Sequence, residues 1–215
     1  MSNSTRVFRG IPYAKPPIRD FRFRPPVPVN AWSPAVIDAT DFGSSCIQPV
    51  SNVTDKKTHT WHLEGAWNTI NVSHVSEDCL TLNVYSPPPP PDGTKLPVML
   101  YHHAGEFHLG SSNDKENNWP YFSDKVVLVT ANVRLGAFGF LASDTLRSRS
   151  ANNGTGNYGM LDQRAVMAWV KAHISAFGGD DERITIFGES SGGTSVAWHL
   201  VSPPSHPYFH KAILD

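Results

Sequence analysis

The stretch "RITIFGESSGG", residues 183–193, decides how the chain is read. Ile184, Ile186 and Phe187 form a short β-branched and aromatic run suited to a buried strand. Gly188, Ser190 and Gly192 fit G-x-S-x-G, the turn that lifts a serine from a strand end onto a helix start. The pattern alone is weak, because glycine fills about 7% of ordinary positions and a chain this long matches by accident about one time in ten. The flanks decide the matter. "TSVAWHLV", residues 194–201, suits a helix until Pro203 and Pro204 stop it, so strand, tight turn and helix follow in the required order. Gly188 and Gly192 then leave room for close packing while the turn forces Ser190 outward as a nucleophile. The competing reading is a Gly/Ser-rich loop that caps a helix or holds an anion at its N-terminus.

Outward from this stretch the chain alternates. "LPVMLYH" (96–102) and "VVLVTANV" (126–133) are continuous apolar runs, as in strands buried on both faces. "CLTLNVYS" (79–86) alternates Leu80, Leu82 and Val84 with Thr81 and Asn83, which predicts a strand. "LDQRAVMAWVKAHISAF" (161–177) sets Val166, Trp169, Val170, Ile174 and Phe177 on one helical face, and "KAIL" (211–214) supplies a last strand. Such alternation predicts an α/β fold with a parallel sheet flanked by helices. The earlier chain differs: residues 10–32 are crowded with proline and are predicted to wander over the surface, as is the polar loop 44–60. Prolines 87–91 end the first strand as a turn or spacer.

With 215 residues the chain is long enough for one domain with a real core. Lys plus Arg number 18 against 19 Asp plus Glu, which gives no charge bias toward nucleic acid or anionic membrane. Only 17% of residues are charged and 18 are proline, as expected for large irregular segments around a modest sheet. No apolar run is long enough to span a bilayer, and "MSNSTRVFRG" lacks the apolar stretch of a signal peptide. Cys46 and Cys79 read equally as bridged or free; bridged, they would stabilise the fold by about 3–4 kcal/mol. Sequons at Asn3, Asn52, Asn71 and Asn153 are compatible with passage through a secretory pathway.

Seven blocks carry a resemblance: "FRGIPYAKPP", "FRFRPP", "SEDCLTLNVYSP", "VRLGAFGFL", "GNYGMLDQRAVMAWV", "FGGDDERITIFGESSGG" and "AILD". In order and spacing they resemble the type-B carboxylesterases and cholinesterases of the α/β-hydrolase fold, from about residue 7 to the last residue. The resemblance implies a mostly parallel central sheet flanked by helices, with residues 1–215 as one partial carboxylesterase type-B domain. Family members are much longer, and they open with a hairpin that this sequence lacks before Val7. It further implies a Cys46–Cys79 disulfide closing a surface loop, a secretory location, and ion pairs Arg22–Glu77 and Arg134–Asp162 that pin loops to the sheet. From the residues alone, those four charges read equally as solvated.

The family's oxyanion loop is H-G-G-G-F, and here it reads "HAGEF", residues 103–107. The matching N–H donors are Gly105, Glu106 and Ser191, the last in place of a usual alanine. Ala104 replaces a glycine, a small change if its φ is negative, whereas Glu106 brings a carboxylate beside a forming oxyanion. Its N–H still donates. An ionised Glu106 aimed at the serine would slow ester cleavage, or would position water as a general base; alternatively it turns away to a nearby cation. His103 occupies the position of a histidine that holds the loop, rather than of the catalytic base.

A serine needs a base, and the base an acid. After Ser190 the chain offers His199, His206, His210 and Asp215, none at the family's catalytic positions, which the resemblance puts beyond residue 215. The implied function is carboxylic ester hydrolysis through an acyl-enzyme on Ser190, with a small-molecule ester substrate, no cofactor, and the triad's acid and histidine absent from these residues. A second reading is a non-catalytic adhesion domain similar to the neuroligins, and a third a truncated fragment without function of its own. Trp61 and Trp67, in the disulfide loop, would line a gorge or simply pack.

Overall fold

The computed structural model describes residues 5–30, 35–49, 74–113, 125–150 and 153–215. Asn3, Asn52, Asn71, Trp61, Trp67 and most of the expected polar loop 44–60 lie outside them. Along the chain come β1 (Arg6–Pro12), β2 (Ser45–Cys46), β3 (Val75–Ser76), β4 (Thr81–Ser86), β5 (Leu96–His102), β6 (Val127–Ala131), β7 (Gly179–Gly188) and β8 (Lys211–Leu214). The helices are α1 (Gly136–Phe140), α2 (Asp144–Arg147), α3 (Tyr158–His173) and α4 (Ser191–Leu200).

The main sheet runs in the order β1-β4-β6-β5-β7-β8. β1, β4 and β6 pair antiparallel, whereas β6, β5, β7 and β8 pair parallel. Val98, Leu100, Val127, Val129, Ile184 and Ile186 in the three central strands are fully buried. Val166, Met167, Trp169 and Val170 of α3 join the same core, which is why the 3.6-residue pattern of that segment was so clear. The predicted helix starts earlier, at Tyr158, and closes in a 3₁₀ turn, Ile174–Phe177, ended by left-handed Gly178 (φ 85°).

One expectation is corrected. Part of the proline-rich stretch is not irregular, since β1 extends to Pro12; it is an edge strand, where a residue without an N–H is tolerated, and its register shifts between Phe8 and Ile11. Gly10 (φ 64°) makes that shift possible. The predicted strand at 79–86 is β4, and its polar Asn83 is buried. Asn83 is 1% exposed, accepts from the Gly10 amide at 3.0 Å and donates to Thr130 Oγ1 at 3.1 Å. Burial with full pairing is how an amide survives inside a sheet.

Cys46 and Cys79 form a disulfide with Cα atoms 5.0 Å apart, joining β2 to the start of β4. Arg22 Nε and Nη2 donate to Glu77 at 2.5 and 2.6 Å in a partly exposed pair. Arg134 donates its backbone N–H, Nε and Nη2 to Asp162 at 3.0, 2.8 and 2.7 Å, with both side chains buried. Burial pushes the Asp162 carboxyl up, and the three Arg134 donors oppose that rise. The remaining guanidinium nitrogen, Nη1, holds the Arg24 carbonyl at 2.8 Å, so this pair fastens the N-terminal loop to α3.

Candidate active site

Ser190 stands between β7 and α4 with φ 56° and ψ −121°, and it is exposed. A left-handed φ on a side chain other than glycine costs about 1–3 kcal/mol and persists only where the surroundings enforce it. Here the Ser190 amide donates to the Asp215 carbonyl at 2.9 Å, and the Asp215 amide returns a bond to the Gly188 carbonyl at 3.1 Å. Thr194 N–H closes the first turn of α4 on the Ser190 carbonyl at 2.9 Å. The glycines allow the close approach: a Cβ on Gly188 would come within 2.8 Å of the His102 carbonyl oxygen, and one on Gly192 would overlap the same oxygen.

The loop after β5 faces this turn. Gly105 (φ 118°), Glu106 (φ 55°) and Phe107 (φ 63°) are three successive left-handed residues, held by bonds from His108 and Leu109 N–H to the Gly105 carbonyl at 3.0 and 2.8 Å. Ala104 is not left-handed, so its replacement of a glycine is mild. Among the described residues the amides of Gly105 and Glu106 have no acceptor. Ser191 is the first residue of α4, where the helix itself offers its N–H none. These are the three amides read from the sequence as oxyanion donors.

Packing ties the loop to the turn. The Phe107 ring stacks on Trp198 of α4 (centroids 5.6 Å, planes at 6°) and meets Phe140 edge-on at 5.5 Å. His103 is partly buried and bonds through Nδ1 to the Ala104 carbonyl at 2.8 Å, a contact within the loop itself. At the loop's far end Gln48 clasps Gly110, accepting from its amide at 2.9 Å and donating to its carbonyl at 2.8 Å. Sequence reasoning missed Gln48, because nothing local marks a partner 62 residues away.

Glu106 turns to His108, whose Nε2 lies 3.7 Å from its carboxylate; the Glu106 side chain is 67% exposed. Glu189, beside Ser190, has a buried carboxylate oxygen without a hydrogen-bond partner among the described residues, and burial with Asp215 nearby raises its carboxyl. The histidines that follow Ser190 are engaged elsewhere. His199 bonds to Gln163 and Ser205, His206 to the Leu200 carbonyl, and His210 to the Ile184 amide. Among the described residues no histidine bonds to Ser190, and no cluster of His, Cys, Asp and Glu could hold a metal ion.

A left-handed serine at a strand-to-helix turn, beside a loop whose Gly105 and Glu106 amides have no acceptor among the described residues, fits the nucleophile-elbow pattern. The model of the carboxylesterase family matches residues 1–215. The chain is 41% identical to rabbit (Oryctolagus cuniculus) cocaine esterase, over 97% of this chain and 37% of that protein. It is 39% identical to para-nitrobenzyl esterase of Bacillus subtilis (strain 168), over 99% of this chain and 40% of that protein. With acetylcholinesterase of Electrophorus electricus the identity is 42%, over 97% of this chain and 31% of that protein. The chain thus spans about two fifths or less of the length of these relatives. The chain belongs to the carboxylesterase family, and its mostly parallel sheet flanked by helices is an α/β-hydrolase architecture.

Proposed function

We propose that Ser190 is the nucleophile of a carboxylic ester hydrolase. The observation that carries this reading is its exposed, left-handed position between β7 and α4, beside a loop whose Gly105 and Glu106 amides have no acceptor among the described residues. The Ser190 hydroxyl attacks the ester carbonyl, the carbonyl oxygen takes up negative charge, and the N–H groups of Gly105, Glu106 and Ser191 receive it. Expulsion of the alcohol leaves an acyl-serine, which water then cleaves. The substrate is a small-molecule ester; the relatives' printed activities, from cocaine to acetylcholine esters, support the class.

Residues 1–215 are read as part of one catalytic domain, and the base and acid are proposed to lie in the length that the relatives have beyond the matched region. A secretory location is supported by the disulfide and by the exposed sequon at Asn153. Among the described residues no helix is long and apolar enough to cross a membrane.

The test is covalent labelling of the natural full-length protein with a fluorophosphonate. Mass spectrometry is expected to place the adduct on Ser190, and Ser190→Ala to abolish both labelling and aryl ester cleavage. A wild-type protein that stays unlabelled would point instead to a binding domain without catalysis.

A further inference from the structure

Between α3 and α4 lies a buried run of polar side chains that the steps above leave without a role. Ser191, Ser195 and His199 recur every four residues and so share one face of α4. They are 8%, 1% and 1% exposed, and Gln163 of α3, at 5%, faces them.

Donor accounting gives the run a direction. Gln163 Oε1 only accepts, so its 2.9 Å contact with His199 Nε2 places the proton on Nε2. Nδ1 is then the acceptor for the Ser205 hydroxyl at 2.9 Å. Ser205 Oγ in turn accepts from Arg164 Nε at 3.1 Å, and Arg164 Nη2 is anchored on Ser202 Oγ at 2.9 Å. On the other side Gln163 Nε2 donates to Ser195 Oγ at 3.0 Å, and Ser195 Oγ donates to the Ser191 carbonyl at 2.9 Å. Every link points the same way, from Arg164 to Ser191, and successive hydrogen bonds of one sense reinforce each other.

We propose that Gln163, His199 and Ser195 are positioning residues that aim the Ser191 N–H at the oxyanion. The inference rests on the esterase reading. Ser191 follows the strained Ser190 directly and opens a helix whose first amides lack intrahelical acceptors; its N–H shares a peptide plane with the Ser190 carbonyl, which Thr194 N–H holds at 2.9 Å. The added bond to its carbonyl fixes that residue from the buried side. An oxyanion donor that wanders weakens the transition state while leaving ground-state binding nearly intact, so the effect belongs in kcat rather than KM.

The test uses the full-length natural protein, a neutral aryl acetate, and active sites counted by fluorophosphonate titration, so that misfolded molecules drop out of the rate. Ser195→Ala removes one hydroxyl from a helix that tolerates alanine well. It is expected to lower kcat per titrated site about fivefold with KM within about twofold, a fraction of the ~10²-fold loss of a whole donor. Gln163→Met, which cuts the run at its centre, is expected to lower kcat about tenfold. Unchanged kcat per site in Ser195→Ala, whatever its melting temperature, overturns the inference alone. An unlabelled wild type overturns the esterase reading and this inference with it.

Discussion

The backbone of Ser190 is clamped to Asp215: the serine amide donates to the Asp215 carbonyl at 2.9 Å, and Asp215 bonds back to Gly188 at 3.1 Å. The strained φ of Ser190 is therefore enforced by the end of β8, the neighbouring strand, as well as by its own turn. Gly193 is the point where this clamp tolerates no side chain, since a Cβ there would lie 2.5 Å from the Asp215 oxygen. Gly193→Ala is expected to displace one partner and slow fluorophosphonate labelling of Ser190 by at least about tenfold, about 1.4 kcal/mol of misalignment. A labelling rate equal to wild type would show that the turn alone sets the serine.

Glu106 occupies a left-handed position (φ 55°) that glycine adopts freely, and its carboxylate is exposed toward His108. Glu106→Gly removes backbone strain of about 1–2 kcal/mol and a negative charge near the proposed oxyanion site. A solvent-screened charge contributes about 1 kcal/mol or less at such range, so kcat/KM on a neutral aryl ester is expected to rise about fivefold or less. No rise would refute the idea that this side chain restrains the reaction.

The elbow was legible because its determinants are local: two glycines, a serine, an apolar strand before and a helix after. The central strands were legible for a related reason, since Val98, Leu100, Ile184 and Ile186 are buried and leave no polar phase to confuse the pattern. β1 was not, because Gly10 and Pro12 are breakers that only an edge position with a register shift accommodates. The burial of Asn83 was not legible, because sequence alternation cannot reveal that a loop covers the face it lies on; Ser112, from after β5, bonds to it there. The Gln48 clasp on Gly110 and the Gln163–His199 bond join residues 62 and 36 apart, and no sequence period encodes such pairs.

The Arg134–Asp162 pair is buried on both sides and serves three elements, so removing one partner strands a charge. Asp162→Ala is expected to destabilise the protein by about 3–5 kcal/mol, whereas Glu77→Ala, at a partly exposed pair, should cost about 1 kcal/mol or less. Urea unfolding of the two variants side by side checks the ranking, and equal losses would contradict it.

His199 supplies the pH dependence. Burial, with the Arg164 charge adding to it, lowers its pKa to about 4, and the neighbouring His102, its ring 5.6 Å away, is also held neutral by burial. In the unfolded chain a histidine takes its proton near pH ~6.5, so between that value and about 4 the unfolded state binds a proton that the folded state refuses. The sign follows: the full contribution is present above pH ~6.5 and is lost progressively as pH falls toward 4, by roughly 3 kcal/mol in all. His199→Gln keeps a neutral amide between Gln163 and Ser205 and abolishes this share of the slope. Unfolding free energies measured at pH 7 and 4.5 should therefore differ by about 2 kcal/mol less in the variant than in wild type. Equal acid losses in the two proteins would mean that His199 is protonated inside the fold; both ring nitrogens would then donate, and only its link to Ser205 would be reversed.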